Sequence, residues 1–120
     1  MRRVLVIKVT CGAEDPERCN QAFTVAGAAV AAGARVSLWL TGEAAWFGVP
    51  GRAEEFSLPL ATPLAELRDL VLAEGALTVC SQCAARRELT EHDLIPGVRL
   101  AGAAGFAEEV LADGVQALVY

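Results

Sequence analysis

The sequence has few positive charges and no large cluster of them. The sequence has ten lysines and arginines against fifteen aspartates and glutamates, which gives a formal net charge of -5. Basic residues are adjacent only at Arg2-Arg3 and Arg86-Arg87. Nucleic-acid backbones and anionic membranes bind basic patches, so neither is an expected partner. Long apolar runs are also missing, because Gly, Thr, Arg or Glu interrupts each one well short of the roughly 20 residues of a membrane span. We therefore expect a chain that does not span a membrane.

Two further signals are missing near the N-terminus. Lys8 interrupts the apolar run at residues 4–7 too early for a signal peptide, and no small-residue cleavage site follows. Thr10-Cys11-Gly12-Ala13 lacks the glycine spacing and the lysine of a phosphate-binding loop. These absences predict a cytoplasmic protein with no nucleotide or other cofactor.

The chain has the length and the apolar character needed for one core. Its 120 residues match the size of a single domain, and we predict one domain over residues 1–120. Hydrophobic residues make up 54% of the sequence, which is rich for a domain of this size. Part of that surplus is expected in a subunit interface.

Five apolar runs rich in valine and leucine lack the alternation of half-exposed strands, which indicates strands buried on both faces. They are Val4–Val9, Val36–Leu40, Ala76–Val79, Val98–Ala101 and Val115–Val119. Helical patterns lie between them at Pro16–Ala32, Pro63–Glu74 and Gly105–Ala112. Asp15 and Thr62 each precede a proline and are predicted helix caps. The repeated β-α-β order predicts a three-layer α/β/α sandwich around a five-stranded, mostly parallel sheet.

The segment Thr41–Ala61 is long for a connection. A short helix is expected at residues 43–47. Trp46 and Phe47 fit two interpretations, either covering the edge of the sheet or forming a lid or interface.

Four cysteines, at positions 11, 19, 80 and 83, fit thiol or metal chemistry better than a disulfide framework in a chain without a signal peptide. Only Cys80 and Cys83 have a spacing with a recognised chemical meaning. Cys80 directly follows a predicted strand, at the sheet edge where reactive groups gather. Residues 81–87 can begin a helix, and a helix N-terminus lowers the pKa of a thiol. Cys80 and Cys83 are therefore the candidate catalytic residues.

The spacing alone leaves several chemistries open. In a thioredoxin-like dithiol, Cys80 attacks and Cys83 resolves the mixed disulfide. A zinc site requires two further ligands, and the candidates are Cys11, Cys19 and His92. Cys11 approaches Cys80 if the first and third strands are neighbours.

The other candidate groups also have simple structural interpretations. Cys19 fits a small buried apolar residue. His92 lies in a polar turn and is expected to be exposed. Arg86 and Arg87 are expected to be solvated charges at a helix end.

The stretch from Cys80 onward is similar to the DsrE/DsrF-like family of sulfur-relay proteins. The similarity lies in Cys80 itself, Ala84-Ala85-Arg86-Arg87, Leu89-Thr90 and Asp93-Leu94-Ile95-Pro96-Gly97-Val98. The layout agrees as well, with the acidic Glu14-Asp15-Pro16-Glu17 turn, an alanine-rich first helix and Thr41-Gly42-Glu43-Ala44 after the second strand.

This resemblance implies a cytoplasmic homo-oligomer, a trimer or hexamer, in which the Cys80 thiolate accepts sulfane sulfur as a persulfide. The partners it implies are a sulfur donor protein and a sulfur acceptor protein. Cys83 departs from the one-cysteine pattern of the carriers and is expected to modulate or resolve the persulfide. Whether the protein is an enzyme stays open, and a noncatalytic oligomeric module that binds a small ligand or metal is the alternative.

Overall fold

The computed structural model describes residues 2–120 and contains a five-stranded sheet. Its strands are β1 (Val4–Val9), β2 (Arg35–Leu40), β3 (Ala76–Cys80), β4 (Arg99–Ala101) and β5 (Val115–Val119). They lie in the order β4-β3-β2-β1-β5, and every neighbouring pair is parallel. This confirms the predicted sheet. It also places β2 between β1 and β3. These two strands are therefore not neighbours, and the condition for Cys11 to approach Cys80 is not met.

Four helices connect the strands, as the β-α-β pattern predicts. They are α1 (Pro16–Ala31), α2 (Leu64–Glu74), α3 (Ser81–Arg86) and α4 (Ala103–Leu111). Short 3₁₀ turns lie at Gly42–Gly48, Ala53–Glu55 and Glu91–Asp93.

The two predicted side-chain caps are wrong. Asp15 flanks α1 without capping it and lies 3.5 Å from the Arg18 guanidinium instead. Helix α2 begins one residue later than expected, because Pro63 has an extended ψ of 130° and takes the flanking position predicted for Thr62. Pro16 does begin α1, as predicted.

The main core lies between one face of the sheet and the helices α1 and α2. Ile7, Leu38 and Leu77 point to this face from three adjacent strands and are fully buried. Phe47 joins the same core, with its ring edge-to-face against Phe23 at 6.0 Å. Burying each large apolar side chain contributes about 1.5–3 kcal/mol. Of the two interpretations of the 41–61 segment, Phe47 therefore matches the covering role.

The opposite face of the sheet is covered by α4. Trp39 points to this face, packs edge-to-face on Phe106 at 5.4 Å and donates its indole N–H to Glu109. Helices thus lie on both faces, as the three-layer prediction requires. The cover is thin, because Leu111 of α4 is 80% exposed and Val119 of the edge strand β5 is 64% exposed.

The described residues include no helix that is both long enough and apolar enough to cross a membrane.

Candidate functional site

Cys80 lies at the carboxyl edge of the sheet, where β3 ends and α3 begins. It is the last residue of β3 and the residue that flanks α3, with an extended backbone. Its side chain is half-buried, whereas Cys83, one turn into α3, is only 9% exposed. A strand that passes directly into a helix thus presents one accessible thiol with a buried thiol behind it.

The surroundings of Cys80 favour its thiolate. Partial burial by itself raises the pKa of Cys80, since it removes water from the anion. This is outweighed by hydrogen bonds from the backbone N–H and thiol of Cys83 and from the backbone N–H of Gln82, and by the positive charge of Lys8. The net pKa of Cys80 lies below its ordinary value. A lowered pKa makes more of the attacking thiolate available near neutral pH.

Cys83 is held from a different strand. The backbone N–H of Gly42, just after β2, donates a hydrogen bond to Cys83 Sγ at 3.2 Å. The Cys83 thiol in turn helps to lower the pKa of Cys80. The backbone after β2 therefore sets the position of the buried thiol, and through it supports the exposed one.

Arg87 reinforces this arrangement and is not the solvated charge expected from the sequence. It donates one hydrogen bond to the Cys83 carbonyl at 3.0 Å and another to Glu43 Oε2 at 2.8 Å. Only 19% of its side chain is exposed. Arg87 thereby ties α3 to the 3₁₀ turn Gly42–Gly48. Arg86 matches its expected role, because it is exposed and reaches only Gln82, at 3.5 Å.

Lys8 and Phe106 complete the edge on the side covered by α4. The Lys8 ammonium lies 4.2 Å from the centre of the Phe106 ring. A cation over an aromatic face is stabilised by the charge distribution of the ring. The ring therefore holds the lysine whose charge acts on Cys80.

The remaining sequence candidates lie apart from this pair. Burial, with Asp15 and Glu14 nearby, raises the pKa of the Cys11 thiol, and burial raises the pKa of Cys19 to about 12. Both are buried thiols with little thiolate at neutral pH. His92 is exposed, as expected.

The zinc alternative gains no support from the arrangement of these groups. Among residues 2–120, no three His, Cys, Asp or Glu side chains come together as metal ligands. Cys11 lies close enough to Cys19 to raise its pKa. Cys11 follows β1 and Cys19 lies in α1, however, and β2 separates β1 from the strand that ends at Cys80.

Sequence reasoning missed three contributors to this site, namely Lys8, Gly42 and Phe106. Lys8 carried a usable signal, because a charged residue inside a run of buried-strand type requires a local reason. Gly42 belongs to the Thr41-Gly42-Glu43-Ala44 segment of the resemblance, but nothing local links it to Cys83, and Phe106 carried no signal. Their contacts depend on the strand order and on how α4 crosses the sheet.

The chain is similar to known proteins both in sequence and in fold. The model of the DsrE/DsrF-like family matches residues 3–119. The crystal structure of the YchN protein from E. coli is similar over the whole of both chains, with a TM-score of 0.80 at 16% sequence identity. No curated protein matches the chain by sequence.

Proposed function

The chain belongs to the DsrE/DsrF-like family, and from that premise we propose that it handles sulfane sulfur in the cytoplasm, with the Cys80 thiolate as the acceptor. The observation that carries this proposal is the state of Cys80, a half-buried thiol whose pKa is lowered by hydrogen bonds from Gln82 and Cys83 at the start of α3. The same donors can stabilise the terminal sulfur of a persulfide, which is also an anion.

Sulfur transfer at this site is a pair of simple displacements. The Cys80 thiolate attacks the outer sulfur of a donor persulfide, a new S–S bond forms, and the donor leaves as its thiolate. An acceptor thiolate then attacks the outer sulfur on Cys80, which restores the Cys80 thiolate. No net oxidation or reduction occurs, so the chain acts as a carrier or transferase between a donor protein and an acceptor protein.

Cys83 gives the persulfide a second outcome. It lies three residues after Cys80 at the same strand-to-helix junction, and its thiol helps to lower the pKa of Cys80. Attack by Cys83 on the inner sulfur of the Cys80 persulfide forms a Cys80–Cys83 disulfide and expels the outer sulfur as hydrosulfide. A thiol reductant must then restore the dithiol. Under this proposal Cys83 limits the lifetime of the persulfide.

A homo-oligomer, a trimer or hexamer, is part of the proposal. The supporting observation is that apolar side chains around the edge strand β5 are exposed, namely Leu111 at the end of α4, Val119 on the face that α4 covers and Leu118 on the opposite face. Apolar patches left open on a single subunit commonly mark protein interfaces. Burial of these side chains between copies also accounts for the high apolar content of the chain.

The test is to incubate the reduced protein with a sulfane-sulfur donor and measure intact mass with and without dithiothreitol. A reducible gain of one sulfur atom is expected in the wild type and in the matched control Cys11→Ser, and not in Cys80→Ser. The adduct should persist longer in Cys83→Ser than in the wild type. A Cys80→Ser variant that loads as well as the wild type would refute the assignment of the acceptor.

A dithiol redox role is the second candidate, because an accessible Cys80 backed by a buried Cys83 is also the arrangement of an attacking and a resolving thiol. In the same experiment, loss of two hydrogens with no sulfur adduct would favour this role. No change of mass at all would favour a noncatalytic binding module.

A further inference from the structure

Lys8 occupies an unusual position for a charged side chain. It is the chain's one lysine, and it lies within β1 rather than on an outer surface, in register with Trp39 on one side and Val119 on the other. Its side chain is half-buried. Within the part of the chain that the structure describes, no carboxylate lies within ion-pair distance of its ammonium.

The direction of the Lys8 side chain is set by α4. The Phe106 ring lies 4.2 Å from the ammonium. Gly102, just before α4, is so close to the residue after Cys80 that a Cβ on it would lie 3.0 Å from Ser81 Oγ. The start of α4 therefore packs against the start of α3. Phe106, one turn into α4, holds the ammonium at the same edge as Cys80.

Of the other cations near this edge, Arg86 of α3 is exposed and reaches only Gln82, at 3.5 Å, and the remaining two are paired with carboxylates. Arg87 is paired with Glu43 at 2.7 Å, and Arg99 is paired with Glu109 at 3.0 Å. Lys8 contacts the face of the Phe106 ring instead of a carboxylate, and an uncharged ring does not neutralise the positive charge of the ammonium. A reactant that approaches Cys80 from the α4 side therefore meets an uncompensated positive charge.

We propose that Lys8 is a specificity-determining residue that favours anionic reactants at Cys80. The proposal rests on the proposed function and narrows its substrate class to sulfur donors with negative charge beside the transferred sulfur, such as thiosulfonates. In this reaction the Cys80 thiolate attacks the outer sulfur of the thiosulfonate and a new S–S bond forms. The S–S bond of the donor breaks, and its electron pair leaves with the sulfinate. Cys80 then carries the persulfide, and no further reagent is required.

The experiment compares two alkylating reagents of similar size, anionic iodoacetate and neutral iodoacetamide. Both alkylate the thiolate by displacing iodide, so the ratio of their rates at Cys80 cancels any change in the thiolate fraction. The rates are read by mass spectrometry of the Cys80 peptide. Lys8→Met keeps an apolar stem and removes the charge, Lys8→Arg keeps the charge, and Arg35→Met is the matched control that removes a cation from the far end of β2.

The iodoacetate-to-iodoacetamide ratio is expected to fall about fivefold in Lys8→Met. It should recover in Lys8→Arg, remain at the wild-type value in Arg35→Met, and fall in the wild type as salt is added. Lys8→Met should also react more slowly with methanethiosulfonate, and by a larger factor than with a neutral organic trisulfide, from which Cys80 takes a mixed disulfide and expels a hydropersulfide anion. An unchanged ratio in Lys8→Met, or an equal fall in Arg35→Met, would overturn the proposal. If no donor loads Cys80 while the ratio behaves as expected, the sulfur-handling function fails and the role of Lys8 stands.

Discussion

Gly42 is the residue at which the structure makes its sharpest prediction about stability and thiol access together. Its φ is +56°, and a Cβ built on it would lie 2.8 Å from the Thr10 carbonyl oxygen. For Gly42→Ala, the left-handed backbone costs about 1–2 kcal/mol, and the contact with a backbone atom adds about 1–2 kcal/mol. We therefore expect the free energy of unfolding to fall by about 2–4 kcal/mol, measured by urea denaturation.

The matched control is Gly51→Ala, because Gly51 has a φ of +85° but a Cβ added to it would meet no other atom within 4 Å. It should show only the backbone cost, about 1–2 kcal/mol. A second readout tests the link to the site. The shift needed to relieve Gly42→Ala moves the backbone that contacts Cys83 Sγ at 3.2 Å and opens this buried thiol to reagent. With Cys80→Ser present in both proteins, Cys83 should therefore be alkylated faster in Gly42→Ala than in Gly51→Ala. Equal stability losses and equal Cys83 rates in the two variants would refute the reasoning.

Three further outcomes follow from other contacts. Glu54→Gln should lower the free energy of unfolding by about 1 kcal/mol at neutral pH. Hydrogen bonds from the buried Arg68 hold the pKa of Glu54 at about 2, so the stabilisation is full above the ordinary glutamate pKa of 4.5 and is lost as the pH falls toward 2. A stability difference between Glu54→Gln and the wild type that does not change with pH would contradict this. Glu109→Ala should lower the free energy of unfolding by about 1–3 kcal/mol, because it leaves the buried indole N–H of Trp39, a residue only 1% exposed, without its acceptor. An unchanged midpoint of urea denaturation would count against that contact. Cys19, with its pKa raised to about 12, should resist iodoacetamide at neutral pH until the protein is denatured, and peptide mapping that finds it labelled in the native state would contradict its burial.

The fold was predictable because its signals are local. Strands β1 and β5 were predicted with the bounds the structure has, since runs such as Val4–Val9 combine β-branched residues with polar or glycine boundaries. Helix ends were less secure, as Thr62 shows, because capping depends on the backbone angles of single residues. The strand order was not predictable, since parallel strands of similar composition carry no local signal for which neighbour they pair with.

Strand order is also the reason why part of the site was found and part was missed. Cys80 and Cys83 belong to one strand-to-helix junction, so their spacing revealed them. The groups that control them come from other strands, since Gly42 follows β2 and binds Cys83, and Lys8 lies on β1 and acts on Cys80.

This division separates two kinds of property in the molecule. The junction between β3 and α3 supplies the nucleophile and its hydrogen-bond donors, and any chain with this local sequence on the same fold would share them. The charge that selects a reactant comes from another strand, where a single substitution in β1 removes it and leaves both cysteines and their hydrogen-bond donors in place. If Cys80 accepts sulfur as proposed, chains of the same fold that retain the two cysteines but have an uncharged residue at the Lys8 position should keep that activity and lose the preference for anionic donors.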